Sequence, residues 1–221
     1  MQSTIGVSRE THEAPLQPDQ EWANALTHGI AAGITLLVGS HLVAVALAKD
    51  TGLAIACGAY ILAAFGTFLF STLSHTILQQ PALNTLRAWD QAMIYAMISG
   101  TYTPIIYRWA PEEVRMPLLA VIWIAAASGF LHKVAFRHRI NSSGTISYLM
   151  LGWMPAVPLV GRVPSMLAWW MLAGGILYSI GVLFLINDRK MRYFHAAWHV
   201  CVMTAAACHY LAILFYVAYT G

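Results

Sequence analysis

The stretch Tyr193-Phe194-His195-Ala196-Ala197-Trp198-His199-Val200 opens the last apolar run of the chain, which continues to Tyr219. About twenty apolar residues span the hydrocarbon core of a bilayer, so the run is long enough to cross one. Two histidines stand four apart inside it. Four residues is about one helical turn, so on a helix both imidazoles leave from one face. Two readings are open. A histidine pair facing inward at one end of a membrane helix points to a metal site. Alternatively the two are packed, hydrogen-bonded polar side chains.

Composition supports the membrane setting. Of 221 residues, 59% are hydrophobic and 10% are charged, against roughly 25% charged in soluble domains. The chain therefore reads as an all-α integral membrane protein, multi-pass, in the inner (plasma) membrane of the cell. Nucleic-acid binding is excluded, because no basic run is interleaved with exposed aromatics. Cys57, Cys201 and Cys208 all lie inside apolar runs, and an odd number there argues against a disulfide framework. No CxxC spacing marks them as metal ligands. Residues 1–20 are polar, with Glu10, Glu13, Pro15, Pro18 and Asp19, and show no signal-peptide pattern. They read as a cytoplasmic tail, and residues 21–221 as one seven-helix membrane domain without internal repeats.

Seven apolar segments are expected, at about 22–48, 52–78, 88–109, 116–132, 145–161, 164–186 and 193–219. The fifth is short and contains Pro155 and Pro158, so a kink is expected there. With the N-terminus cytoplasmic, the inner side holds Arg9, Arg87, Lys133, Arg137, Arg139, Arg189, Lys190 and Arg192. The outer side holds Lys49, Arg108, Arg115 and Arg162. Positive charge favours the cytoplasm, so the N-terminus is placed inside and the C-terminus outside. The basic loops, Lys133 to Arg139 and Arg189 to Arg192, are expected against anionic headgroups.

That topology puts most of the ionisable groups within spans at one depth. Glu21, Asn24 and His28 open the first segment, and Ser71 and His75 close the second. Asp90 lies one turn into the third, and His195 and His199 open the seventh. His41 and His209 are the exceptions. Each such group is costly in hydrocarbon unless it faces the bundle interior, and several at one depth satisfy one another. Three neutral imidazoles with one open position are a recognised catalytic zinc arrangement. His75, His195 and His199 supply the imidazoles, and Asp90 is placed to act as general base. Ser71, four residues before His75, binds a substrate oxygen, orients His75, or simply lets helices approach closely. Asp90 has a plainer reading too, as a carboxylate near a helix start. Glu21 is either part of the site or a first-turn charge. Asn24 and His28 read as a supporting network beneath the site, and His209 as a packing residue. Thr101-Tyr102-Thr103-Pro104 is expected to be structural, and Trp123, Trp169 and Trp170 to form an outer aromatic belt.

The ordered set is more specific than any one element. Glu21-x-x-Asn24-x-x-Thr27-His28, then Ser71-Thr72-Leu73-Ser74-His75, then Asp90, then Ser99-Gly100-Thr101-Tyr102-Thr103-Pro104, then His195-x-x-x-His199 run in that order. The chain thereby resembles the hemolysin III branch of the progestin and adipoQ receptor (PAQR) family, of bacterial type, which is similar to alkaline ceramidases. The resemblance implies seven transmembrane helices, a zinc ion on His75, His195 and His199, and Asp90 and Ser71 beside it. It also implies a zinc-dependent hydrolase of a lipid amide or ester, with a membrane lipid as substrate or ligand and a part in lipid homeostasis. The alternatives are a non-enzymatic sensor or receptor of membrane state with structural zinc, and a hemolysin-type pore-forming protein.

Overall fold

The computed structural model describes residues 17–136 and 142–220. Among these residues there are seven α-helices and no strand. They are α1 (Pro18–Leu47), α2 (Thr51–Thr76), α3 (Ala82–Trp109), α4 (Glu112–Phe136), α5 (Ser142–Trp153), α6 (Ser165–Leu185) and α7 (Phe194–Ile213). The tail expected at the N-terminus lies outside the described residues up to position 16, and α1 already begins at Pro18. Proline suits the first helical position because its missing N–H would be unpaired there anyway, and Asp19 and Glu21 meet the positive end of the helix dipole. Asp50 caps α2 by accepting the Leu53 N–H at 2.6 Å.

Five helices are long and apolar enough to cross a membrane: α1, α2, α4, α6, and α7 with the π turn Leu214–Ala218 that extends it. The other two differ for physical reasons. α3 is long but carries Arg87, Asp90 and Arg108. It packs against α2, α4, α5 and α7, so little of it needs to be apolar toward lipid. α5 stops after 12 residues. Pro155 has no N–H to continue the helical ladder, and the chain tightens into a 3-10 stretch, Met154–Leu159. The two pieces together rise about 30 Å, enough to match a hydrocarbon core.

Close helix contacts use small residues. A Cβ on Gly100 would lie 2.8 Å from the Ala63 Cβ and 3.3 Å from the Tyr60 Cα, so α3 can approach α2 only with glycine there. Pro104 is accommodated inside α3, where Thr101 and Thr103 hydroxyls bond the carbonyls of Met97 and Ser99. The Trp123 indole donates to Thr103 at 3.0 Å, so this tryptophan is tied into the bundle, whereas Trp169 is exposed as a belt residue would be.

The chain reverses at each connection, so the start of α1 shares one end of the bundle with the end of α2, the start of α3 and the start of α7. The far end is tied by His41 to Tyr219 at 2.9 Å and by Tyr107 to Asp50 at 2.7 Å. One expectation is corrected here. Lys133 does not lie in a loop against headgroups. It is inside α4, 2% exposed, with its ammonium donating to Gln91 Oε1 at 3.1 Å and lying 5.9 Å from the Tyr148 ring centre. α4 continues past His132, and that extra turn carries the lysine inward. Arg137, His138 and Arg139 lie outside the described residues.

Candidate metal centre

Two helices bring three imidazoles together. His75 comes from the last turn of α2, and His195 and His199 from the first two turns of α7. Each offers a ligand atom within 4.8 Å of the other two. The ring centres form a near-regular triangle, 5.0 Å for His75–His195, 5.3 Å for His75–His199 and 4.8 Å for His195–His199. The ring planes cross at 64°, 67° and 65°. The three histidines lie close enough to hold one metal ion.

The hydrogen bonds around them decide which nitrogen faces inward. His75 Nδ1 lies 2.6 Å from Glu21 Oε2, and His195 Nδ1 lies 3.1 Å from Asp188 Oδ2. His199 Nδ1 lies 3.2 Å from the Asn24 carbonyl oxygen and 3.1 Å from Thr27 Oγ1. A carboxylate or a carbonyl can only accept, so each Nδ1 carries the proton and donates it. The Thr27 hydroxyl spends its own hydrogen on the Asn24 or Ala23 carbonyl and accepts from His199. All three rings are thereby held as the tautomer whose Nε2 bears the lone pair. His75 Nε2 is buried and has no hydrogen-bond partner.

A cavity of about 70 Å³ adjoins the histidines, with room for a few water molecules. His28, Ser71, Asp90, Lys133, His195 and His199 are among its lining residues. Asp90 lies about two turns into α3, which begins earlier than expected, and its Oδ2 accepts from Ser74 Oγ at 3.0 Å. Ser71 Oγ is buried without a partner. His28 stacks on His199 at 3.6 Å with an interplanar angle of 10° and meets Phe68 edge-on. Neither of its ring nitrogens has a partner. Asn24 reaches the site through its backbone oxygen, while its side-chain oxygen is unpartnered.

Residues 16–210 match the family described as Haemolysin-III related. The chain belongs to that family. It is similar to Hemolysin-3 of Bacillus cereus, with 34% identity over 91% of this chain and 94% of the relative. A Hemolysin-3 homolog of Bacillus subtilis (strain 168) is 32% identical over 89% and 94%. The human Monocyte to macrophage differentiation factor is 28% identical over 86% of this chain and 82% of its own length.

This haemolysin-III related chain thus gathers Glu21, Asn24, His28, Ser71, His75, Asp90, His195 and His199 at one end of its bundle. His41 and His209 are elsewhere; His209 bonds the Met171 carbonyl at 3.2 Å. Three members of the neighbourhood escape sequence reasoning. Asp188 reads as part of a loop, Thr27 only as a position of the ordered motif with no role of its own, and Lys133 as a loop cation. Only for Thr27 did the sequence offer a signal, its place in that motif.

The donor set suits a metal that prefers imidazole. Bonds of about 2.1 Å to a tetrahedral ion put nitrogens roughly 3.4 Å apart, so the rings need to close by about 1.4 Å at most. The orphaned His75 Nε2 and the carboxylates of Glu21, Asp188 and Asp90 fit a cation at this place.

Proposed function

We propose that this chain is an intramembrane zinc-dependent hydrolase of a lipid amide or ester, ceramidase-like, contributing to membrane lipid homeostasis. All seven helices span the membrane in this reading, α3 and α5 included. The N-terminus is cytoplasmic and the C-terminus outside, in the inner (plasma) membrane, with the site at the cytoplasmic end. Lysine and arginine bias supports that orientation. The observation that carries the chemistry is the set of acceptors at the three Nδ1 atoms, which leaves the lone pair of each ring on Nε2. Metal-ligating histidines are commonly held this way.

His75, His195 and His199 would hold the zinc, with Glu21, Asp188, Thr27 and the Asn24 carbonyl behind them. Zinc when bound would supply an acidified water, with a pKa toward ~7, and a polarised carbonyl. Asp90 would serve as the proton acceptor beside it, its carboxylate accepting from Ser74. Ser71, with no other partner, binds a substrate oxygen, while Asn24 and His28 support the ligand face. The lipid enters sideways; α5 and α6, lightly packed against each other, leave the easiest route. One observation favours a second reading, zinc as a structural clip in a sensor or receptor. The cavity of about 70 Å³ is small for a lipid headgroup, which favours a site that closes on an ion alone. A lytic, pore-forming role rests on the relatives' printed names alone.

The test is zinc content and lipid turnover of purified protein in nanodiscs containing ceramide. Wild type is expected to carry one equivalent of zinc and to release fatty acid. His199→Ala loses the zinc, and Asp90→Asn keeps the zinc but loses turnover. Zinc-loaded wild type that cleaves nothing across a panel of amide and ester lipids overturns the hydrolase in favour of the clip.

A further inference from the structure

α1 supplies none of the three imidazoles, yet it touches every arm that does. Glu21 holds His75, and Asn24 and Thr27 hold His199. The third arm is reached through the connection between α6 and α7. There the Arg192 guanidinium pairs with Asp19. The Tyr193 hydroxyl donates to Asp19 Oδ2 at 2.8 Å, and the Tyr193 N–H to Gln20 Oε1 at 3.0 Å. Tyr193 stands at φ 62°, a left-handed conformation that a tyrosine adopts only when its surroundings hold it there. This clasp on α1 fixes the point at which the chain turns into α7. It sets Asp188 opposite His195, seven residues on.

The third arm also differs in burial. His75 is 8% exposed and His199 1%, whereas His195 and Asp188 are 24% and 21% exposed. Two ligands are thus locked inside the bundle, and the third sits at its rim, held by a residue of a loop.

We propose that Asp188 is the positioning residue for His195, and that this pair is the part of the metal site that governs uptake and release of the ion. The proposal rests on the zinc reading above. The Asp188 carboxylate takes the Nδ1 proton, which fixes the ring's tautomer and direction and makes Nε2 a better donor. Among the described residues, Asp188 is the hydrogen-bond partner of His195 Nδ1. Without Asp188 the ring is free to turn or to protonate the wrong nitrogen.

The experiment measures zinc affinity of the full chain in detergent by competition with a chromogenic chelator. Loss of an outer carboxylate typically weakens metal binding about 10–100-fold, and that is the expectation for Asp188→Ala. Asp188→Asn keeps an acceptor without the charge and is expected to fall in between; it also serves if the alanine variant does not fold. In a His195→Ala background, adding Asp188→Ala should change affinity no further, because a residue that acts through another is not additive with it. Equal affinity of wild type and both Asp188 variants overturns the proposal and leaves the metal reading intact. So does a full further loss in the His195→Ala background, which would mean that Asp188 acts on the fold. Wild-type protein that takes up no zinc overturns the metal reading itself, and this proposal with it.

Discussion

Replacing Glu21 probes how strongly the bundle holds its first ligand. The contact with His75 Nδ1 is 2.6 Å, between groups that are 14% and 8% exposed. Hydrogen bonds to a charged partner contribute about 1.5–3 kcal/mol, neutral ones about 0.5–1.5. Glu21→Gln keeps an acceptor but drops the charge, so about 1–1.5 kcal/mol of the hold on His75 is lost, close to tenfold in zinc affinity. Glu21→Ala leaves the Nδ1–H buried without an acceptor. That costs about 1–3 kcal/mol of stability in the metal-free protein. It also weakens zinc by about 10–100-fold. The second partner of Glu21 matters less: Arg87 stands at 3.5 Å, and such a pair contributes about 0–1 kcal/mol. Chelator competition and thermal unfolding with and without zinc read both effects. The ordering Ala below Gln below wild type is the expected result in each. If both variants bind zinc and melt as wild type does, Glu21 does not hold His75 and the tautomer argument fails at its shortest contact.

Two further predictions concern packing and acid. Gly174 lies against His209, where an added Cβ would stand 2.3 Å from Nε2 and 3.1 Å from the Ala205 carbonyl; Gly174→Ala should destabilise the α6–α7 pair by about 1–3 kcal/mol, read as a lower unfolding temperature. Outside the spans, the Tyr107 hydroxyl and the Leu53 N–H hold the Asp50 carboxyl below its usual range. A depressed pKa adds stability above the unfolded value near ~3.9 and loses it as pH falls through the folded one, so Asp50→Asn should lower stability at neutral pH and flatten the acid limb of the profile, the variant and wild type converging as pH falls below about 4.

Much of the site was legible because its residues are expensive where they stand. A histidine, aspartate or glutamate inside an apolar segment needs a partner, and the alternation of up and down segments puts Glu21, His75, Asp90, His195 and His199 at one depth. Their meeting in space follows from that constraint. The partners were not legible. Asp188 sits in a polar connection, where a carboxylate is unremarked, and its reach to His195 depends on the turn at Tyr193 and on α1 holding that turn. Thr27 is one of several hydroxyls that bond back to their own helix, and nothing local says that it also accepts from His199. Lys133 lies where apolar sequence gives way to basic sequence. An extra turn of α4, facing Gln91 and Tyr148, takes it inside.

By itself the sequence determined an all-helical membrane protein of the haemolysin-III related family and the break near Pro155, because hydropathy, helical spacing and proline chemistry act locally along the chain. It also named the three imidazoles, through segment length and order. Only the tertiary structure decided which nitrogen of each ring turns inward. That choice belongs to the acceptors behind the rings, and those are supplied by another helix, a backbone carbonyl and a loop distant or unremarkable in sequence.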